Sequence, residues 1–412
     1  MLTRFRDRFW LPPRAHGDVI EDRTVSFLEL FYDLVYVVVI ARAAHTLAEH
    51  VSWRSVGEFV IVFGLIWIAW LKATLYYDLH GREDGRTRVF VFVQMLLLAL
   101  LAVFTADAAG EGGTPFAIVY AAFLAVLAWL GYTVRRRDTH EHVTVTGHFP
   151  AGHLTTVAVI AVSAALPDDA RMIVWGLFVV AWVLGSILLS RGSDAGLKMG
   201  VVAAESTVHR FGLFTIIVLG EVVVGVVDGL SDVARTLQSV ATGMLGLMIG
   251  FAIWWTYFDF VGLRSPKPSG RSLAQWMFSH LPVTLTIAAT GAAMVSLIEH
   301  AADARAPEAT AWLLAGSVAL GLVALVVTMH SLQDYERLPM LYRPVSVAMV
   351  VASAVALLIG WWRPAPWLLA LTLILLLSAV WFFAVDRWLR LDDPGRVLPG
   401  GGSGRRATGW EG

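Results

Sequence analysis

Residues 208–228 read VHRFGLFTIIVLGEVVVGVVD, an apolar run broken in its interior by one acid, Glu221. About 20 predominantly apolar residues are what a helix needs to cross the hydrocarbon core of a bilayer. Runs of this kind recur from one end of the chain to the other. A soluble protein cannot hide so many of them, whereas a bilayer accepts them. Composition agrees: of 412 residues, 57% are hydrophobic, 15% are charged and 17 are Trp, with a mean hydropathy of +0.68. Soluble domains lie nearer roughly 45–50% apolar and about 25% charged. The chain reads as an all-α, polytopic transmembrane helical bundle.

Counting apolar runs outward from that stretch predicts twelve spans. The first six lie near 27–47, 57–77, 89–107, 114–134, 151–166 and 170–190, and the second six near 208–228, 234–258, 276–298, 309–330, 343–361 and 365–385. Lys and Arg check the count independently. With the N-terminus in the cytoplasm, 24 of the 31 fall in cytoplasmic segments, 5 in outer loops (Arg54, Arg171, Arg235, Arg305 and Arg363), and Arg42 and Lys72 within spans. Excess Lys and Arg mark the cytoplasmic side, so both termini are expected inside. The predicted organisation is a cytoplasmic tail (1–24), a first six-helix repeat (25–190), a cytoplasmic linker (191–207), a second repeat (208–390) and a disordered cytoplasmic tail (391–412). The N-terminal tail is polar and Arg-rich and does not read as a signal peptide, so span 1 is expected to insert uncleaved.

The repeat rests on matched polar landmarks. IAWLKATLYYDLHGREDGRTRVF (68–90) and FAIWWTYFDFVGLRSPKPSGRSLAQW (251–276) share Trp, an aromatic–Asp pair and a Gly-Arg loop that opens the next span. LELFYDLVYVVV in span 1 lies opposite FGLFTIIVLGEVVV in span 7. Six spans is an even number, so the two copies share one orientation about an axis along the membrane normal.

Several function classes drop out. Net charge is −1, which leaves no basic field for nucleic acid. The absence of cysteine excludes disulfides, thiolate catalysis, Cys-ligated zinc and iron–sulfur clusters. No G-x-x-x-x-G-K-[ST] loop is present to bind ATP, and no extramembrane segment is long enough for a separate catalytic domain. No cofactor or metal is expected. The loop histidines His140, His142, His148 and His153 match no zinc spacing, and their role is open.

An ionisable side chain in hydrocarbon is costly, so each one within a span is a candidate. Glu29 and Asp33 stand four residues apart in span 1 with Tyr36 one turn on, all on one helix face. Arg42, His45 and Glu49 share another face near the outer end. On span 7, Arg210, Glu221 and Asp228 face one way, but Arg210 and Glu221 are about 16 Å apart along the helix and cannot touch. Arg210 is therefore expected to pair with a carboxylate of span 1. Glu221 sits deeper, beside Gly220 and Gly225, small residues that allow another helix to approach closely. An acid shielded from water there would suit a proton carrier. Asp78 and Asp259 end spans 2 and 8 after aromatic clusters, and His280 precedes Pro282 in span 9.

FLELFYDLVYVVVIARAAH (27–45), HRFGLFTIIVLGE (209–221), WWTYFDFVGLR (254–264) and SHLPVTLTIAATG (279–291) resemble the bacterial low temperature requirement A family. The similarity extends over most of the membrane region. It implies a multi-pass bacterial inner-membrane protein linked by name to growth in the cold, with no established activity. Its motif positions fall on Glu29, Leu30, Phe31, Asp33, His45, Arg210, Gly212, Gly220, Glu221 and Asp259. The leading expectation is a secondary, proton-coupled transporter of a small solute or ion, embedded in the lipid bilayer. An ion channel, a structural or sensory membrane protein and a membrane enzyme are the alternatives. The transport-pathway candidates are Glu29, Asp33, Tyr36, His45, Arg210, Glu221, Asp259 and His280, with Gly212, Gly220 and Gly225 as small packing residues.

Overall fold

Ser26 decides where the first helix starts. Its hydroxyl accepts from the Glu29 amide, and the Glu29 carboxylate accepts in return from the Ser26 amide at 3.0 Å. This reciprocal cap satisfies two donors that a helix N-terminus otherwise leaves orphaned. One-way side-chain caps at Ser52, Asp84 and Ser269 and a second reciprocal cap, Thr236 with Ser239, open four more helices, whereas the last two open on Pro339 and Pro366, suited to a first turn by their fixed φ. These elements belong to a computed structural model that describes residues 9–15, 25–82, 84–136, 149–191 and 205–391.

The first half holds α1 (Phe27–Glu49), α2 (Trp53–His80), α3 (Gly85–Thr105), α4 (Gly113–Arg135), α5 (Phe149–Ser163) and α6 (Asp168–Arg191). The second holds α7 (Glu205–Asp232), α8 (Leu237–Phe260), α9 (Gly270–Glu299), α10 (Glu308–His330), the short α11 (Gln333–Arg337), α12 (Pro339–Trp362) and α13 (Pro366–Leu389). Among the described residues the structure is helical, with one isolated bridge between Pro266 and Leu332. A helix stands at each predicted span position, and ten are long and apolar enough to cross a membrane. The other two are α1 and α5. Glu29, Asp33, Arg42 and Glu49 load α1 with charge, and the 15 residues of α5 reach about 22 Å, short of a hydrocarbon core of about 30 Å.

Local differences from the sequence reading concern ends. Residues 205–207, expected in a linker, form the first turn of α7, and α11 is an unpredicted turn after α10. Residues 9–15, expected as tail, lie against the α2–α3 corner: the Gly85 amide donates to the Phe9 carbonyl and the Arg14 amide to that of His80. His140, His142 and His148 and the 392–412 tail lie outside the described residues, as does the side chain of His153.

Much of the neighbour order recurs in the two halves, although the packing of α2 on α4 and of α8 on α9 has no counterpart of comparable extent. In the first, α1 packs on α2 and α3, α3 on α4, α4 on α5, and α2 on α6. In the second, α7 packs on α8 and α9, α9 on α10, α10 on α12, and α8 on α13. Docking between the halves does not follow a two-fold exchange. Helix α9 packs on α1, α2 and α6, whereas α3 has no comparable packing on the second half. As a result α9 is 83% buried over its most apolar stretch and α3 only 33%. Helices α1, α7 and α9 begin, and α2 and α8 end, at the face that also carries Arg14, Arg82, Arg88, Arg264 and Arg271. It is termed the basic face below, and its opposite the far face.

Candidate functional site

Arg210, in the second turn of α7, is fully buried where α7 crosses α1 and α2. Its Nη2 donates to Asp33 Oδ1 at 2.9 Å, and its Nη1 lies 3.8 Å from Glu29 Oε1. Asp33 is itself 0% exposed, and Trp70 of α2 donates its indole N–H to the same oxygen at 3.0 Å. Rings of α7 hold Trp70 in place: it stacks on Phe214 at 4.0 Å and meets Phe211 edge-on at 4.9 Å. A buried charge survives in an apolar medium only when paired and hydrogen-bonded, and three helices supply that here. Satisfaction is incomplete. Asp33 Oδ2, Arg210 Nε and Arg210 Nη1 make no hydrogen bond to another protein group among the described residues.

Beside this cluster, toward the basic face, Asp78 in the last turn of α2 accepts from the Ser206 hydroxyl at 2.7 Å and from the Thr207 hydroxyl. Both hydroxyls stand in the first turn of α7, where the helix dipole favours a carboxylate. Arg14 closes the end of α2, donating from Nε to the Gly81 carbonyl at 2.8 Å and from Nη2 to the Asp78 carbonyl at 2.5 Å. Tyr32 and Tyr36, both buried, share a hydroxyl contact of 3.2 Å. Of the sequence candidates, Glu29, Asp33, Tyr36 and Arg210 thus gather at the meeting of α1, α2 and α7.

The remaining candidates stand apart. Asp259 serves a corner within the second half: Oδ2 accepts from the Trp381 indole at 3.1 Å, and Arg264 donates to its carbonyl at 2.6 Å. His280 is buried with both ring nitrogens used. Nδ1 lies 2.7 Å from the Trp276 carbonyl, which only accepts, so Nδ1 carries the proton; Nε2 then accepts from the Tyr257 hydroxyl at 3.1 Å. His45 is exposed on α1 and lies 3.4 Å from Glu49, one turn on. Glu221 is 4% exposed, and its Oε1 has no hydrogen-bond partner.

The glycines divide. Gly225 lies in backbone contact with Gly291 of α9. Gly220, expected to admit a neighbouring helix, faces open space, and a Cβ on Gly212 would meet only ordinary contacts. Helix α9 approaches on the Gly225 side of α7, and Gly220 points elsewhere.

Sequence reasoning missed the Ser26–Glu29 cap, although Ser-x-x-Glu before an apolar run signals it. It also missed Trp70 and Gly291, which no local pattern distinguishes from other Trp and Gly in the spans. A cavity of about 20 Å³ between α8, α9, α10 and α13, bordered by Tyr257, Thr286, Thr290 and Ser317, is roomy enough for about one water. Among the described residues no group of three His, Asp or Glu side chains could hold a metal.

Residues 24–381 match the bacterial low temperature requirement A protein (LtrA) family. The chain belongs to the LtrA family. The match spans all thirteen helices except the end of α13, including the whole α1–α2–α7 cluster. An uncharacterized protein of Rhizobium meliloti (strain 1021) is 24% identical to this LtrA-family chain over 278 residues, covering 63% of the chain and 66% of the relative, just under two thirds of its length. No solved structure matches.

Proposed function

We propose that this LtrA-family protein is a secondary transporter of the bacterial inner membrane, coupled to protons through Glu221. The observation that carries the reading is Glu221 itself. It is a carboxyl buried in the interior of α7 with one oxygen unpartnered, and it has no cation beside it among the described ion pairs. A charge so placed is costly, so gaining and losing a proton is the chemistry this position favours.

In this reading the chain crosses twelve times. Helix α1 is included because its acids are paired inward with Arg210, and α5 because the flanking segments would otherwise change sides. The arginine distribution supports a cytoplasmic basic face. The recurring part of the neighbour order supports two six-helix repeats in one orientation, docked off the exact two-fold. Reporters fused after Arg88, Arg137 and Arg271 are expected inside, and those after Arg54 and Arg305 outside.

The deciding experiment compares Glu221→Gln with Glu221→Ala in a deletion strain grown in the cold and in proteoliposomes carrying an internal pH dye. Glu221→Gln is expected to express and melt like the parent while losing proton movement and cold growth. Full complementation by Glu221→Gln, with Glu221→Ala merely unstable, makes Glu221 a packing residue and removes the reading. Conductance that is independent of a pH gradient points instead to a channel.

A further inference from the structure

Among the described residues, every side-chain hydrogen bond and ion pair that joins the first half to the second lies toward the basic face. Glu29 and Asp33 of α1 meet Arg210, and Asp78 of α2 meets Ser206 and Thr207. Ring contacts between the halves keep to the same portion of the bundle: Trp70 on Phe211 and Phe214, and Trp67 and Trp182 on Phe278. Helix α1 also packs on α9, with no side-chain hydrogen bond or ion pair between them among the described residues. Toward their far-face ends these two helices bury mostly aliphatic side chains, Ala43, Ala44 and Leu47 on one and Ala292, Leu297 and Ile298 on the other. Small aliphatic surfaces can shift by small steps with little change in energy. Charge-assisted hydrogen bonds are directional and are made or broken as units.

We propose that the Asp33–Arg210 and Asp78–Ser206/Thr207 pairs form a latch that holds the two halves together at the basic face, with the smooth α1–α9 seam as its pivot. The inference deepens the transporter reading and rests on it, since alternating access needs one closure that gives way while another part of the seam holds. Water that enters between the halves takes over the hydrogen bonds of Asp33, Arg210, Asp78, Ser206 and Thr207 as they part, and each bond it makes offsets part of what separation loses. The aliphatic stretch of the α1–α9 contact has no such polar pairs to exchange for water.

The chain has no cysteine, so spin labels can be placed in pairs on the full-length protein in lipid nanodiscs. Arg88→Cys with Arg271→Cys spans the basic face, and His50→Cys with Glu299→Cys spans the far face; all four positions are exposed. Ser206→Ala with Thr207→Ala, and separately Asp33→Asn, are expected to add a longer component to the basic-face distances while the far-face distances keep their width. A disulfide between Asp78→Cys and Thr207→Cys is expected to leave only the short component. Basic-face distances unchanged in both folded variants overturn the latch. Equal lengthening at both faces also overturns it, because that describes a loosened bundle. The distances are read without any solute, so a latch that opens in a protein showing no flux removes the transporter reading alone.

Discussion

Gly225 of α7 and Gly291 of α9 bring two helix backbones into direct contact. A Cβ built on Gly225 would fall 2.2 Å from the Gly291 carbonyl oxygen, and one built on Gly291 would fall 2.4 Å from that of Glu221. Neither position can carry a side chain unless the helices separate. Because the Glu221 backbone is part of the contact, this crossing also sets how Glu221 is presented.

Gly225→Ala and Gly291→Ala are each expected to destabilise the protein by about 1–3 kcal/mol through overpacking. Gly220→Ala is the control: nothing lies within 4 Å of its added methyl, and replacing a helical glycine with alanine should gain about 0.5–1 kcal/mol. Melting temperatures in detergent check the order. A Gly225→Ala protein as stable as the parent would show that α7 and α9 can part without penalty.

Arg210→Ala leaves Asp33 buried without its cation, and the expected loss is about 3–5 kcal/mol. Adding Asp33→Asn to the same protein removes the uncompensated charge and should restore part of the loss. Folded fraction after heating, read by fluorescence-detected size-exclusion chromatography, gives the comparison. If the double variant is no better than Arg210→Ala, Arg210 acts by packing alone.

Tyr257→Phe removes the donor to His280 Nε2 and is expected to lower stability by about 1 kcal/mol. In an His280→Asn background, which can keep a donor toward the Trp276 carbonyl but lacks Nε2, the same change should have a smaller effect. The double-mutant cycle in thermal unfolding therefore yields a coupling near the single-mutant value. No coupling means that the 3.1 Å contact contributes nothing to stability.

Arg14→Ala should free residues 9–15 from the α2–α3 corner. Charged hydrogen bonds contribute about 1.5–3 kcal/mol, so hydrogen exchange at the Gly85 amide, which donates to Phe9, is expected to rise at least about tenfold. Exchange on α10, remote from that corner, should not change. Gly85→Ala should act in the same direction, because its methyl would overlap the Phe9 ring.

Helix positions were legible in the sequence because a bilayer demands long apolar runs, and the stretch at 208–228, interrupted only by Glu221 in its interior, already shows that demand. Pairing of Arg210 with span 1 was legible for a related reason. A guanidinium buried in a membrane protein needs a carboxylate, and only span 1 offers two at its level. Asp33 and not Glu29 became the close partner because the Glu29 carboxylate is engaged in capping Ser26, a local demand with its own sequence signal.

Residue type and position along the chain set what each residue requires: hydrocarbon around the apolar runs, a partner for Arg210, a proton or a partner for Glu221. Which groups meet those requirements was decided only by tertiary structure. Periodicity says which side of its own helix a residue occupies and nothing about which neighbour arrives there. His280 found both of its partners within the second half, and Asp259 turned to Trp381 and Arg264. Gly220 faces open space while Gly225 meets Gly291, though both glycines precede or follow Glu221 in the same apolar run. Packing of α9 against one side of α7 made that choice, because backbone contact is available only where two glycines stand opposite each other at one crossing.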